Sequence, residues 1–439
     1  MAAQIAEACT DRDWMRLALR LARLGMGRTH PNPRVGAVAV GDGRLLGMGA
    51  HLVFGGPHAE AMLAGLSPEG PTCPGADAAL RIGARGARAA RSLEGATVYV
   101  NLEPCAHQGK TPPCASALAL HGVRRVVAAI ADPHPLVSGR GLSFLREAGV
   151  EVFTGLLAPA ARRLNAPFLW HLQAGRAMVT LKLAASLDGR LAARDGGSRW
   201  ISGEASRELV HRWRSECDAV VVGRGTFESD RPRLTARPTR DPLAGLRLRL
   251  REMAGGAAAA PGWPHQPVRL VVDSRARLGN RDDIPFGRED GGGPWIVACG
   301  ARAPSRSIAR LEARGAQCWR LPEPRGGAGV DLPALMRRLA LEGLLDVLVE
   351  GGPALANSLL SARLVDRLRL FQAPCLLGGD RTWTEDLGVS QLSERVALAR
   401  CGARRVGDDL LITGWNPALA SLLDGVEAPL GDPEPCSRD

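Results

Sequence analysis

His58, Glu60, Cys105 and Cys114 have the side-chain types and the spacing to do chemistry. One His and two Cys are three soft, deprotonatable ligands. Three protein ligands suit a catalytic Zn²⁺, because the fourth tetrahedral position stays open for water, whereas a structural zinc normally takes four. Glu60 stands two residues after His58, where a carboxylate can move protons beside that water without binding the metal. Between the two thiols runs the stretch Ala106–Pro113, which carries His107, Gly109, Lys110 and Thr111, polar groups able to reach a substrate.

These side chains need elements to hold them. Pro57 precedes His58, and Pro is favoured just at a helix start, so His58 and Glu60 belong to a first helical turn. Residues two apart do not share a helix face, which suits a metal ligand and a proton carrier with separate tasks. Ala96–Leu102 reads as a buried strand that delivers Cys105 to its C-terminal end, where an open α/β sheet places its site. Pro112-Pro113 opens a helix over Cys114–His121, and a thiol at a helix N-terminus has a lowered pKa that favours metal binding. Upstream, Asp13 reads as the N-cap of a helix with Trp14, Leu17 and Leu21 at helical spacing. Asn32, between Pro31 and Pro33, can bond a substrate or, as turn Asn residues do, its own backbone. Val35–Val40 and Arg44–Gly49 form a hairpin, and strands at Val123–Ile130 and Val150–Phe153 with a helix at Gly141–Gly149 complete an α/β layer sandwich. Pro68–Arg91 reads as a loop plus a weak helix, with no role for Cys73.

The whole chain bounds the answer. Its 439 residues exceed one ordinary core, so two domains are expected. No run of 18 apolar residues indicates a membrane span. Met1–Asp13 lacks the basic and apolar regions of a secretory signal, and most of the ten scattered Cys read as free thiols, so the expected location is the cytoplasm. The net charge of +11 admits an acidic partner. No Lys/Arg run or basic–aromatic stripe stands out, so an Arg-rich composition with solvated faces is favoured over a nucleic-acid-binding zinc module, and a phosphorylated small molecule would also be drawn by this field. Only two lysines occur, Lys110 and Lys182, both inside motifs, where a flexible ammonium serves as a planar guanidinium would not.

The motifs Thr29-x-Pro31-Asn32-Pro33-x-Val35-Gly36, Pro57-His58-Ala59-Glu60, Leu102-Glu103-Pro104-Cys105-x-His107-x-Gly109-Lys110-Thr111-Pro112-Pro113-Cys114 and Asp132-Pro133-x-Pro135 resemble those of the riboflavin-biosynthesis pyrimidine deaminase, of the cytidine-deaminase-like superfamily. The common zinc-deaminase signature has Pro-Cys-x-x-Cys. The longer loop with Thr-Pro-Pro is what sets this family apart, and Ala37 stands where the family often has Cys.

Farther on, strands are expected at Ala177–Ala184, Ala219–Gly223, Val268–Val272, Trp295–Ala298, Gln317–Leu321, Asp346–Val349, Val365–Phe371 and Asp409–Thr413, with helices at Ser206–Arg214, Ser305–Arg314 and Leu332–Leu341. Glu350-Gly351-Gly352-Pro353 follows a strand and opens a helix. Bare backbone N–H groups at a helix start can hold a phosphate, and a plain strand–helix turn has the same sequence. No complete G-x-G-x-x-G is present.

This half resembles the riboflavin-biosynthesis reductase, through Lys182-x-Ala184-x-Ser186-Leu187-Asp188-Gly189, Ser198-x-Trp200-Ile201, Asp273-Ser274 and Glu350-Gly351-Gly352-Pro353. Together the two resemblances point to the bifunctional deaminase–reductase family of bacterial riboflavin synthesis. They imply an N-terminal cytidine-deaminase-like three-layer α/β/α domain followed by a dihydrofolate-reductase-like α/β domain. They imply one Zn²⁺ per chain on His58, Cys105 and Cys114, with Glu60 as the proton carrier, and NADPH on Ala184, Trp200, Thr226, Asp230, Ser274, Gly352, Pro353, Ala354, Leu355, Ala356 and Asn357. Substrate contacts fall on Ser198, Arg214, Leu234, Arg237 and Glu350, with Asn32, His107 and Lys110 serving the deaminase. Arg214 and Arg237 have the paired donors of phosphate clamps. Lys182 and Asp188 are candidates for the proton donor in reduction.

The expected organisation is a deaminase domain over 1–155, a connector over 156–176, a reductase domain over 177–420 and a tail over 421–439. Pro238–Pro267, with Arg–Leu alternation and a Gly-Ala tract, reads as a poorly ordered surface insertion. The expected partner is a phosphorylated pyrimidine, with no nucleic acid and no membrane, and a homo-oligomer is expected.

Overall fold

The computed structural model describes residues 9–63, 93–106, 113–134, 138–194, 201–253, 262–284, 286–324, 327 and 329–425. The chain divides into two units, Met1–Leu172 with Arg240–Trp263 and Gln173–Thr239 with Pro264–Asp439.

In the first unit, a helix α1 (Asp11–Ala22) precedes a hairpin of β1 (Gly36–Gly41) and β2 (Arg44–Ala50). Asp42 and Gly43 turn the hairpin with φ of 48° and 69°, the left-handed pair that matches strand twist. β1 also pairs antiparallel with β3 (Thr97–Val100), and β4 (Arg125–Ala128) and β5 (Glu151–Thr154) follow in parallel. Among the described residues the order is β2-β1-β3-β4-β5.

Alternation along the strands makes two cores. Ala37, Ala39, Val98, Val100, Val126 and Ala128 face α2 (Ala59–Leu63), α3 (Cys114–Leu120) and α4 (Arg140–Glu147). Val38, Val40, Tyr99 and Val127 face the other way, against α1 and α5 (Ala158–Leu164). A period-2 pattern filled on both faces is what a three-layer α/β/α sandwich demands. A Cβ at Gly49 would lie 1.9 Å from the Ala59 carbonyl oxygen, so glycine there lets α2, which carries Glu60, seat directly on β2.

The second unit holds, among its described residues, a nine-stranded sheet ordered β10-β9-β8-β7-β11-β6-β12-β14-β13. In chain order its elements are β6 (Met178–Ser186), α7 (Glu204–Arg214), β7 (Ala219–Gly223), α8 (Arg224–Asp230), β8 (Val268–Val272), β9 (Trp295–Gly300), α10 (Ser305–Ala313), β10 (Gln317–Leu321), α11 (Leu332–Leu341), β11 (Asp346–Val349), α12 (Pro353–Ser361), β12 (Arg367–Ala373), β13 (Ala399–Val406), β14 (Asp409–Trp415) and α13 (Pro417–Asp424). Strands β6 to β12 run parallel, and β14 and β13 add an antiparallel edge. Runs such as Ala219-Val220-Val221-Val222 are buried on both faces, as parallel strands covered by helices require.

The structure differs from the sequence reading at five places. The expected loose insertion over 238–267 contains a helix, α9 (Ala244–Met253), whose Leu246 and Leu250, with Leu243 before it, are buried in the first unit's core beside Met15, Val38 and Met48. The apparent Arg–Leu alternation concealed apolar residues at helical spacing, with Arg249 and Arg251 exposed on other faces and Arg247 at the border of the apolar one, paired with Asp241. Residues 254–261 of that stretch lie outside the described residues. The connector over 156–176 consists of α5 and α6 (Ala166–Ala174), and Ala158 and Ala161 belong to the first core. The tail begins later than 421, since α13 runs to Asp424 with Leu423 buried and ends at Gly425 with φ of 81°. Thr10, not Asp13, caps α1, and Asp13 reaches back to the Thr10 N–H at 3.1 Å. Strand β13 had no sequence signal, because an edge strand with exposed Arg and Gly lacks alternation. The loop and weak helix expected over Pro68–Arg91, with Cys73, fall outside the described residues.

Candidate functional site

In the first unit, β3 ends at Val100 and leads through Glu103-Pro104 to Cys105, while Cys114 opens α3 and His58 immediately precedes α2. Three separate elements thus aim one ligand each at a common point. His58 Nδ1 lies 3.3 Å from Cys114 Sγ and 3.6 Å from Cys105 Sγ, and the three ligand atoms all fall within 4.8 Å of one another. Tetrahedral zinc with its usual Zn–N and Zn–S bonds separates ligand atoms by about 3.5–3.8 Å, so the donor set fits that ion.

The two thiols differ, and it is Cys105, not Cys114 as its helix start leads one to expect, that has the lowered pKa. Hydrogen bonding to Cys114 and then to His58 overcomes burial and pulls the Cys105 thiol down to about 4. Cys114 is pushed up as the proton-holding member of the pair. Its backbone N–H also points at Cys105 Sγ, at 3.4 Å. Glu60 is buried, and desolvation followed by the charge of Cys105 pushes its carboxyl up to about 7.

Three further residues fix this arrangement. The Glu103 carboxylate accepts four backbone N–H groups, from Asp132 and Gly139 at 3.0 Å each, Gly141 at 2.9 Å and Leu142 at 3.2 Å. It thereby ties the start of α4 to the Pro104-Cys105 turn. Asn101 bridges β1 by accepting from Gly36 N–H at 2.7 Å and donating to the Arg34 carbonyl at 2.9 Å. His51 Nδ1 meets the Pro57 carbonyl at 3.0 Å, next to the ligand His58, and burial holds its pKa down at about 4. With Nδ1 donating, Nε2 accepts from the Asn32 amide at 3.4 Å. Asn32 is therefore drawn to the site through His51. His107 and Lys110 lie outside the described residues.

In the second unit the candidate residues gather at the C-terminal ends of β6, β7 and β11, the crevice where an open α/β sheet binds ligands. Glu350 follows β11, and its carboxylate is gripped by Arg214 through Nε at 2.6 Å and Nη2 at 2.8 Å. Lys182 on β6 is close enough for Glu350 to oppose the lowering of its pKa by burial. Burial, then the charges of Arg214 and Arg237, hold His211 below its ordinary value. Arg214 Nη1 also donates to the Thr235 carbonyl at 3.1 Å, and Arg237 bonds the Thr235 hydroxyl. Leu234 is 1% exposed as a whole residue, so little of it is open to a ligand.

Of the expected cofactor residues outside α12, Thr226 lies against the start of that helix. Pro353 begins that helix, and Gly352 N–H donates to Thr226 Oγ1 at 2.8 Å. A Cβ at Gly352 would lie 2.8 Å from the same oxygen, so the bare backbone keeps the approach open. Leu355 and Ala356 are buried, and Asn357 accepts from Glu385 N–H while its buried Nδ2 has no partner among the described residues. Ala354 lies in the first turn of α12, Ala184 on β6 pairs with Phe371 of β12, Asp230 ends α8, and the Ser274 carbonyl accepts from Gly300 N–H. A glycine-flanked helix start with an unpartnered amide fits the phosphates and polar rim of a dinucleotide. Ser198 and Trp200 lie outside the described residues.

The chain matches two family models, the cytidine and deoxycytidylate deaminase zinc-binding region over residues 9–130 and the RibD C-terminal domain over residues 177–412. It is 36% identical over 405 residues to the riboflavin biosynthesis protein RibD of Escherichia coli, covering 92% of this chain and 98% of that one. This chain belongs to the RibD family. The RibD of Aquifex aeolicus is 34% identical over 404 residues, covering 92% and 97%. Among solved structures, Acinetobacter baumannii RibD is similar at a TM-score of 0.69 and 32% identity, covering 92% of this chain and 98% of that chain. The Thermotoga maritima diaminohydroxyphosphoribosylaminopyrimidine deaminase/5-amino-6-(5-phosphoribosylamino)uracil reductase matches at the same TM-score and coverage with 28% identity.

The protein is accordingly a bifunctional deaminase and reductase of riboflavin biosynthesis, with a zinc-dependent hydrolase unit and an NADPH-dependent reductase unit of dihydrofolate-reductase-like fold. No helix among the described residues is long and apolar enough to cross a membrane. Sequence reasoning missed His51, Glu103 and His211 as members of these sites. Their partners are backbone groups or side chains remote in sequence, so no local spacing reports them.

Proposed function

We propose that His58, Cys105 and Cys114 hold the zinc ion and that Glu60 is the proton carrier of the deamination. The convergence of the three ligand atoms from three elements carries this reading. Zinc supplies the Lewis acidity that brings the pKa of water near neutrality. Glu60, buried and with its carboxyl raised to about 7, is suited to take a proton and pass it to the pyrimidine ring and then to the departing amino group. A bound dication would pull that carboxyl back down, so the proton it carries is one received during turnover. Asn32, His107 and Lys110 are assigned to the pyrimidine.

In the reductase, NADPH supplies a hydride to C1 of the opened ribosyl chain. We assign Thr226, Asp230, Ser274, Ala184, Trp200 and the start of α12, Gly352 to Asn357, to the cofactor. Ser198, Arg214, Leu234, Arg237 and Glu350 are assigned to the phosphorylated pyrimidine. Because Glu350 already occupies one edge of the Arg214 fork, Arg214 acts more as an anchor for Glu350, and Arg237 is the freer phosphate ligand. Of the two candidates for the proton donor, Asp188 is disfavoured. Hydrogen bonds from Ser186, then Leu377 and Gly378, hold it down at about 2, as an anion without a proton to give. Lys182 remains.

The substrate is the 2,5-diamino-6-ribosylamino-pyrimidinone 5′-phosphate, and the product is 5-amino-6-(5-phosphoribitylamino)uracil. The reading extends to a homo-oligomer and to the cytoplasm, the latter in keeping with described cysteines that form no disulfides. The test is incubation of purified protein with the diaminopyrimidine substrate, with and without NADPH. Ammonia release without NADPH and a reduced product only with it are expected. Reduction that proceeds without prior deamination would overturn the order of steps. Light scattering tests the oligomer.

A further inference from the structure

We propose that Gln266 and Arg269 are positioning residues of the reductase step, which hold the segment 233–237 in the shape that receives the phosphate end of the substrate. The inference rests on the assignment of Leu234 and Arg237 to substrate.

The segment has neither helix nor strand, and Leu234 within it stands at φ of 54°, a left-handed conformation that a branched side chain adopts only when its surroundings impose it. The surroundings are side chains. Gln266 forms a two-point pair with Ala236, its Oε1 accepting from Ala236 N–H at 2.9 Å and its Nε2 donating to the Ala236 carbonyl at 2.8 Å. This copies the pairing a neighbouring strand would provide. Arg269, on β8, donates through Nη1 to the Arg233 carbonyl at 3.2 Å.

Arg269 is itself built in firmly. It is 1% exposed, pairs with Asp290 at 2.6 Å, donates to the carbonyls of Gly293 at 2.8 Å and Gly287 at 3.0 Å, and lies 4.2 Å over the Trp295 ring. Gly292 packs so close that a Cβ there would come 2.6 Å from the guanidinium carbon. A cation buried with this many fixed partners is a rigid post. Arg214 and His211 also reach the Thr235 carbonyl, at 3.1 and 3.2 Å. The carbonyls of residues 233, 235 and 236 are thus all held by side chains, and the same Arg214 grips Glu350. The relative placement of Arg237 and Glu350 is set by this lacing.

The test uses the full-length enzyme with the deaminated phosphorylated pyrimidine and NADPH. Gln266→Ala is expected to raise KM for the pyrimidine about fivefold, with kcat within about twofold, as for loss of a hydrogen bond that serves binding. KM for NADPH and the rate of deamination should not move. Arg269→Lys should raise the pyrimidine KM further, since an ammonium cannot reproduce the fork. If that variant does not fold, Gln266→Ala alone decides. In the pair Gln266→Ala with Arg237→Gln, the effects should fall short of additive, because one residue acts through the other. An unchanged pyrimidine KM in Gln266→Ala, an equal rise in the KM for NADPH, or full additivity would overturn the inference. A silent Arg237→Gln would instead show that the assignment of Arg237 to substrate has failed.

Discussion

Arg214 and Glu350 form a two-point ion pair, Nε to Oε1 at 2.6 Å and Nη2 to Oε2 at 2.8 Å, with side chains only 12% and 10% exposed. An arginine that the sequence offers as a phosphate clamp is therefore first of all the partner of a carboxylate. Burial pushes the Glu350 carboxyl up, but the charge and hydrogen bonds of Arg214, with help from Lys182, outweigh it and leave the group below its ordinary value.

Glu350→Gln leaves Arg214 and Lys182 buried without a counter-charge. It should cost about 3–5 kcal/mol of stability in urea unfolding of the reductase unit, as other broken buried pairs do. A depressed folded pKa contributes stability above the ordinary carboxylate value, lost as pH falls through the folded value. Wild type should lose this increment in acid and Glu350→Gln should not. An equal acid dependence of the two would remove Glu350 from the account.

Glu60→Gln keeps the volume of the side chain but carries no proton. Deamination should fall about 10²–10⁴-fold while reduction of supplied deaminated substrate continues at the wild-type rate. Ammonia release and NADPH oxidation, followed separately, check both halves. Persistence of deamination would exclude Glu60 as the proton carrier.

Removal of zinc by a chelator should abolish ammonia release and spare NADPH oxidation. Cys114→Ser should retain less than one equivalent of zinc by elemental analysis, because a hydroxyl is a far poorer ligand than a thiolate. Full zinc content in that variant would point to a different ligand set.

Leu250 is 1% exposed and lies in the core of the first unit, in a stretch, Arg240–Trp263, flanked on both sides by segments of the second. Leu250→Ala should destabilise the deaminase by about 2–5 kcal/mol through the cavity it leaves. Heat should then extinguish deamination at lower temperature than in wild type. Unchanged thermal inactivation would mean that α9 does not support that core.

Much of both units was legible where chemistry and local period coincide. His58, Cys105 and Cys114 could be grouped because soft ligands separated by proline-bounded turns have few other uses. The strands around Val98, Val220 and Val347 could be read because buried parallel strands are short apolar runs. Gln266 and Arg269 could not be found this way, since a side chain that bonds a backbone carbonyl some thirty residues away leaves no periodic trace. Leu243, Leu246 and Leu250 carried a helical signal that the intervening arginines and the flanking Gly-Ala tract obscured. The exposed Arg404 and Arg405 of β13 gave none at all.

The placement of α9 has a consequence for biosynthesis. A ribosome that has finished Leu172 has not yet made Leu243, Leu246 or Leu250, so the nascent deaminase waits with part of its apolar surface uncovered. At about 5–20 residues per second the interval lasts several seconds. The first unit to begin folding therefore cannot complete its core until the segment Gln173–Thr239 of the second has left the ribosome's active site.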